Sequence, residues 1–116
     1  FNARQLLAHA EIVRLLRDVY RRLSKEADDP DYAKAVITYL TLAFGKTLDY
    51  NSALTTWIKP RGVIEHTFSR HAYAWKWEFA EFDLTRADAS FGWALKNVIK
   101  ALKGIINELE NVSGDV

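Results

Sequence analysis

The sequence predicts an all-α, bundle-like fold: three long helices, one or two short helices and an aromatic-rich crossover. Three observations carry this expectation. Apolar residues recur at three- and four-residue steps over most of the chain. Residues that cap helices stand where those runs begin. Strand-like alternation is confined to one stretch, "FSRHAYAWKWEFAEF" at residues 68–82.

The first helix opens with Asn2 and Gln5 at the spacing of a capping box, in which the Asn side chain accepts from an early helical N–H. Leu6, Ala10, Val13, Leu16, Tyr20 and Leu23 then form an amphipathic face ending near Glu26. Arg14, Arg17, Arg21 and Lys25 share another face, and with Glu11, Asp18 and Glu26 nearby they read as a solvated stripe. In "ADDPDY", Asp29 is the expected cap of the second helix. Pro30 suits its first position, where the missing N–H is not needed.

The second helix is the most apolar, with Val36, Ile37, Leu40, Ala43, Phe44, Thr47 and Leu48 on a wide face flanked by Tyr39 and Tyr50. Gly45 costs about 1 kcal/mol relative to Ala inside a helix, so a close-packing role is expected for it. The helix is expected to continue past Tyr50 toward Trp57, with "DYNS" as the alternative terminus. "IKPRG" then breaks the chain, because Pro60 restricts Lys59 and Gly62 supplies freedom.

"VIEHTFSRHA" predicts a short helix, with Val63, Ile64, Thr67, Phe68 and His71 along one side. In the crossover Tyr73, Trp75, Trp77 and Phe79 alternate, but Ala72, Ala74 and Ala80 share the intervening positions with Lys76 and Glu78. A half-buried strand would alternate with more polar residues and would need a partner. The run therefore reads as a hydrophobic crossover, and Trp57, Tyr73, Trp75, Trp77 and Phe79 are the interface candidates. After the polar connector "DLTRADAS", Asp88 or Ser90 starts the last helix. Its face runs through Phe91, Ala94, Leu95, Val98, Ile99, Leu102, Ile105, Ile106 and Leu109, and "NVSGDV" is expected to fray.

At 116 residues the chain is one domain or less. Its net charge of +1 gives no global bias toward nucleic acid, so any basic site must be a local patch. The absence of cysteine excludes disulfides, thiol catalysis and Cys-ligated zinc within this piece. No run approaches the roughly 20 apolar residues of a membrane span, and nothing reads as a signal peptide, so no membrane partner and a cytoplasmic location are expected. The chain holds no methionine and opens on Phe1-Asn2. With no targeting segment to explain processing, an internal piece of a longer protein is the expectation.

No pair of groups has the spacing of an acid–base or nucleophilic site. His66 and His71 are five residues apart and would diverge on a helix, so no metal site is expected. His9, beside Leu6 and Val13, reads as a partly buried edge residue. There is no G-x-S-x-G, and the five glycines are scattered rather than gathered into a phosphate loop. "DDPDY" departs from the D-P-P-Y tetrad of amino-methyltransferases, because Asp31 stands where the second proline would be. It reads as a capped helix start. A basic and aromatic mixture surrounds residues 57–76, and such mixtures hold phosphates while stacking bases. Arg61, His66, Arg70, His71 and Lys76 are the nucleic-acid candidates. The competing reading has the aromatics building a core and the bases solvated.

Taken in order, "NARQLLAHAEIVRLLRDV", "AVITYLTLAFGKTLDYNSALTTW", "HTFSRHAYAWKWEFAE" and "GWALKNVIKAL" resemble one family over nearly the whole chain. They are similar to the helical middle region of adenine-specific DNA methylases, large archaeal and bacterial proteins of which some carry a zinc ribbon. The most specific parts are "DYNS" with Trp57, and His66 to Arg70 with Trp77 and Phe79 to Glu81. The resemblance implies a parent that transfers a methyl group from S-adenosylmethionine to an exocyclic adenine nitrogen, extruding the base to reach it. In that family the region lies between the cofactor-binding Gly motif and the D-P-P-Y segment, and neither is present here. No catalytic or cofactor residue is therefore carried over, and no cofactor is expected in this piece. The implied partners are the remainder of the parent and DNA; apart from the resemblance, four Trp and a nearly all-round apolar second helix suggest a homodimer when the piece is isolated. The rival reading is a stand-alone helical interaction or dimerisation module.

Overall fold

The local signals at the helix ends act as the spacing predicts. In the computed structural model, which describes residues 1–69, 71, 76–86 and 90–114, Asn2 caps α1 (Ala3–Glu26). Its side chain accepts from the Gln5 N–H at 2.7 Å, and the Gln5 side chain accepts from the Asn2 N–H at 3.0 Å. Asp29 caps α2 (Pro30–Tyr50) by accepting from the Asp31 N–H at 2.9 Å, with Pro30 in the first turn. Ser90 heads α3 (Phe91–Gly114), its hydroxyl accepting from the Trp93 N–H at 3.2 Å. Asp88, the other expected start, lies outside the described residues. No fraying begins at Asn111, because α3 runs on to Gly114.

Several sequence expectations are corrected. The second helix does not continue toward Trp57 but stops at Tyr50, within the alternative terminus "DYNS": Asn51 leaves helical geometry at φ −129° and ψ 68°, and its N–H closes the last turn on the Thr47 carbonyl. The fold is mostly helical but not all-α, because β1 (Thr56–Ile58) and β2 (Val63–Glu65) form an antiparallel pair. "VIEHTFSRHA" therefore supplies a strand and a 3-10 turn at Thr67–Ser69, not a helix. The register pairs Thr56 with Glu65, Trp57 with Ile64 and Ile58 with Val63. β-branched and aromatic residues suit such a pleated pair. Gly62, at φ 61°, takes the left-handed conformation that closes the turn, its N–H donating to the Ile58 carbonyl at 3.0 Å. Finally, Gly45 is no packing position, because a Cβ built there meets no atom within 4 Å.

α2 packs against both α1 and α3. The apolar core they share is small: Ala33, Ala43, Phe44 and Ala94 from the helices, and Ile64 from β2. α1 is rotated from its expected face, turning Gln5 and His9 inward while Leu6 and Tyr20 stay exposed. His9 is thus buried, not the edge residue its sequence neighbours suggest. The Arg14, Arg17, Arg21 and Lys25 stripe is solvated, with Arg14 and Arg21 bridging to Glu11 and Asp18.

The molecule measures 54 × 38 × 26 Å, with a radius of gyration of 17.4 Å. A folded chain of this length has a radius of about 13 Å. Its accessible surface is 9001 Å². A monomer of this mass exposes about 6,500 Å². Large apolar side chains are among the exposed residues. Leu7 and Leu15 on α1, Leu42 on α2, and Ile105, Leu109 and Val112 on α3 all face solvent.

Candidate functional site

Where α2 ends, the interior is polar. Asn51 is only 2% exposed, and its side-chain oxygen accepts from Gln5 Nε2 at 3.1 Å and from the Phe82 N–H at 3.2 Å. His9 Nε2 lies 3.0 Å from the Asn51 carbonyl oxygen, which makes that nitrogen the protonated one. The His9 ring stands edge-on to Phe1 and Phe44, and its Nδ1 is buried without a partner. One residue thereby ties the first turns of α1, the end of α2 and the chain arriving at Phe82. Buried amides satisfied in this way fix a unique arrangement, because any other leaves them unpaired.

The knot continues through short polar side chains. The Ser52 hydroxyl accepts from the Leu54 N–H at 3.0 Å and lies 2.6 Å from that of Thr67. Thr67 donates to the Asp49 carbonyl at 2.7 Å, and the Phe68 N–H donates to the Asp49 carboxylate at 3.0 Å. The buried Thr55 hydroxyl shares its hydrogen between the Ser52 carbonyl at 3.0 Å and the Ala80 carbonyl at 3.2 Å. At the surface, Glu81 accepts two bonds from the Arg4 guanidinium, at 3.0 and 2.9 Å, and one from the Asn2 amide. The Arg4 hydrogen bond holds the Glu81 carboxyl below the usual carboxylate range, with Asn2 adding to it.

Beside this knot the hairpin, the end of α2 and the start of α3 enclose an open cavity of about 800 Å³. Tyr50, Trp57, Phe82 and Trp93 supply its aromatic walls, with Arg61 and His66 at its polar edge. Trp93 meets Tyr50 edge-on at 5.3 Å, and Lys46 Nζ sits 5.0 Å from the Trp93 ring centre and 5.6 Å from that of Tyr50. The His66 ring tilts against Tyr50 at 5.4 Å, and its Nδ1 is 3.0 Å from the Asp49 carboxylate, off the hydrogen-bond axis. Flat π faces beside a guanidinium are the groups that stack a planar ring and hold an anion.

The structure brings Arg61, His66 and Trp57 to that one cavity. Lys76 is half-buried, with its ammonium donating to Thr56 Oγ1 at 2.5 Å, so it is pinned to β1. His71 is exposed. Arg70, Tyr73 and Trp75 lie outside the described residues. Of the other interface candidates, Trp57 is 50% exposed, Phe79 is partly exposed and Trp77 is fully exposed. Asn51, Gln5, Tyr50 and Trp93 were not singled out as site residues from the sequence. The signal for Gln5 was a polar pair, Gln5 and His9, at i and i+4 on a helix whose inward stripe should be apolar.

Among the described residues no group of three His, Asp or Glu side chains could hold a metal ion, and no helix is long and apolar enough to cross a membrane. Comparison of the chain with protein-family models, with curated proteins and with solved structures returns no match.

Proposed function

We propose that this chain is a non-catalytic helical scaffold: a subdomain of an adenine-specific DNA methyltransferase that seats against the catalytic fold. One observation carries the scaffold reading, the inversion of its surface. Side chains that a self-sufficient domain would bury are outside, Trp77 above all, while Gln5, His9 and Asn51 are inside. An accessible surface of 9001 Å² leaves some 2,500 Å² beyond the monomer expectation, about three times what one partner contributes to a standard interface. The methyltransferase assignment is supported by the sequence resemblance alone. S-adenosylmethionine then belongs to the parent, and the remainder of that parent is the partner.

The open reading frame around these residues tests the assignment: a Gly-rich cofactor motif upstream and D-P-P-Y downstream are expected, and a frame lacking both refutes it. The scaffold role is tested in the full protein by Trp77→Glu. Because Trp77 has no cover in this chain, the isolated chain should keep its helical signal, while methyl transfer by the full protein falls at least ~10-fold, the equivalent of about 1.4 kcal/mol. Full activity in that variant would sink the role. The isolated chain should show no methyl transfer.

A second reading, DNA grip, rests on Arg61 standing beside Trp57 and His66 at the aromatic cavity. Arg61→Ala and Arg70→Ala in the full protein should weaken duplex binding and flatten its salt dependence by about one unit of slope each. Unchanged binding in both leaves the scaffold alone.

A further inference from the structure

We propose that the outer half of α3 pairs with a second copy of itself, antiparallel, across a two-fold axis near Ile106. This goes beyond the scaffold reading and does not rest on the methyltransferase assignment. Along α3 the residues Leu95, Val98, Leu102, Ile105, Leu109 and Val112 follow at alternating steps of three and four. That period of 3.5 is the spacing of a coiled-coil seam, where a straight buried helix would drift. Ile99 and Ile106 widen the seam on one side, giving the broader apolar face of a bundle helix.

Only the first part of this seam is covered. Ala94 is buried and Leu95 and Val98 are partly covered, whereas beyond them every described residue except Leu102 is exposed. Ile105 is 57% exposed, Leu109 64% and Val112 68%. The surplus surface of the molecule exceeds the roughly 800 Å² that each partner of a stable interface buries.

Charge identifies the occupant. α3 is basic first, at Lys96, Lys100 and Lys103, and acidic afterwards, at Glu108 and Glu110. This is opposite to the order a helix prefers for its own dipole, which favours acidic residues at the start and basic ones at the end. An antiparallel copy reverses the mismatch. Lys103 and Glu110 are one heptad apart, on the outer rim of the side that Ile99 and Ile106 widen. With Leu102 set against Val112 of the second copy and Ile105 against its Leu109, Lys103 meets Glu110 of the second copy, twice by symmetry. The overlap, residues 100–114, spans roughly 22 Å and leaves residues 91–98 free to pack on α2. Glu108 faces its own copy on the other edge, the one unfavourable contact, open to solvent.

Sedimentation of the 116-residue chain should show a dimer at concentrations of ~10–100 µM, and a monomer throughout would overturn the proposal. Ile105→Glu with Leu109→Glu should give a monomer whose helical circular dichroism is unchanged, since both positions are exposed; a dimer that survives uses another face and refutes the seam. Lys103→Glu and Glu110→Lys should each weaken association at least ~10-fold, and the double swap should restore it. No restoration refutes the register. Orientation is read by cross-linking, because the chain has no native cysteine. Leu102→Cys mixed with Val112→Cys should form a disulfide-linked pair that neither variant forms alone. Val112→Cys linking to itself would mean a parallel pair and overturn the proposal.

Discussion

Asn51→Ala tests whether the polar knot holds the helices together. The change strips the acceptor from two donors, Gln5 Nε2 and the Phe82 N–H. A buried donor left without a partner costs about 1–3 kcal/mol. Gln5 is fully buried, but Phe82 is only half-covered and water can reach its N–H, so the second donor counts at the low end. The expected loss is about 2–4 kcal/mol. At about 2.1 cal/mol/K per residue, the unfolding entropy of this chain makes each kcal/mol worth about 4 °C, so Tm should fall by roughly 8–16 °C. The assay is thermal and urea unfolding followed by circular dichroism, with Thr38→Ala as the control. Thr38 is exposed and its hydroxyl bonds back within its own helix, to the Lys34 carbonyl, so its loss should stay within about 0.5 kcal/mol. A Gln5→Ala/Asn51→Ala double-mutant cycle should show a coupling of about 0.5–3 kcal/mol. An Asn51→Ala protein within about 0.5 kcal/mol of wild type, or a coupling of zero, would refute the reasoning.

Three further outcomes follow from single contacts. Gly45→Ala should stabilise by up to about 1 kcal/mol in urea unfolding, because the added methyl meets nothing and the helix gains propensity; destabilisation would return Gly45 to a packing role. Asn2→Ala removes the capping box and should cost about 0.5–2 kcal/mol, read as a drop in Tm of a few degrees. The Glu81 carboxyl, held low by the Arg4 hydrogen bond, should titrate below an ordinary glutamate in carboxyl-detected NMR, and Arg4→Ala should raise its midpoint. Since its folded pKa lies below the unfolded one, its contribution to stability is present above the unfolded value, about 4.3, and is lost as pH falls through the folded one. An unmoved midpoint in Arg4→Ala would break that link.

The helix boundaries set by caps were legible in the sequence, and those set by distant partners were not. Asn2, Asp29 and Ser90 act through hydrogen bonds to N–H groups two or three residues away, so spacing alone marks where α1 and α2 begin and narrows the start of α3 to Asp88 or Ser90. The end of α2 was misread because Asn51 is held by Gln5 and Phe82, 46 and 31 residues distant along the chain. The hairpin was misread because Val63, Ile64, Thr67, Phe68 and His71 fit one side of a short helix as well as Val63 to Glu65 fit a strand, and only pairing with Thr56 to Ile58 decides between them. Of the candidate site, basic and aromatic residues around Pro60 were visible, but their convergence with Tyr50 and Trp93 was not.

Local chemistry thus determined by itself that this chain makes three capped, amphipathic helices without cysteine chemistry. Which faces those helices bury was decided only in three dimensions. Hydrophobic periodicity says that a stripe must be covered but not what covers it. In α1 the rotation that pairs the Gln5 amide and His9 Nε2 with Asn51 leaves Leu6 and Leu7 in solvent. In α3 the seam is partly covered at Leu95, Val98 and Leu102, and the same period of three and four continues exposed through Ile105, Leu109 and Val112.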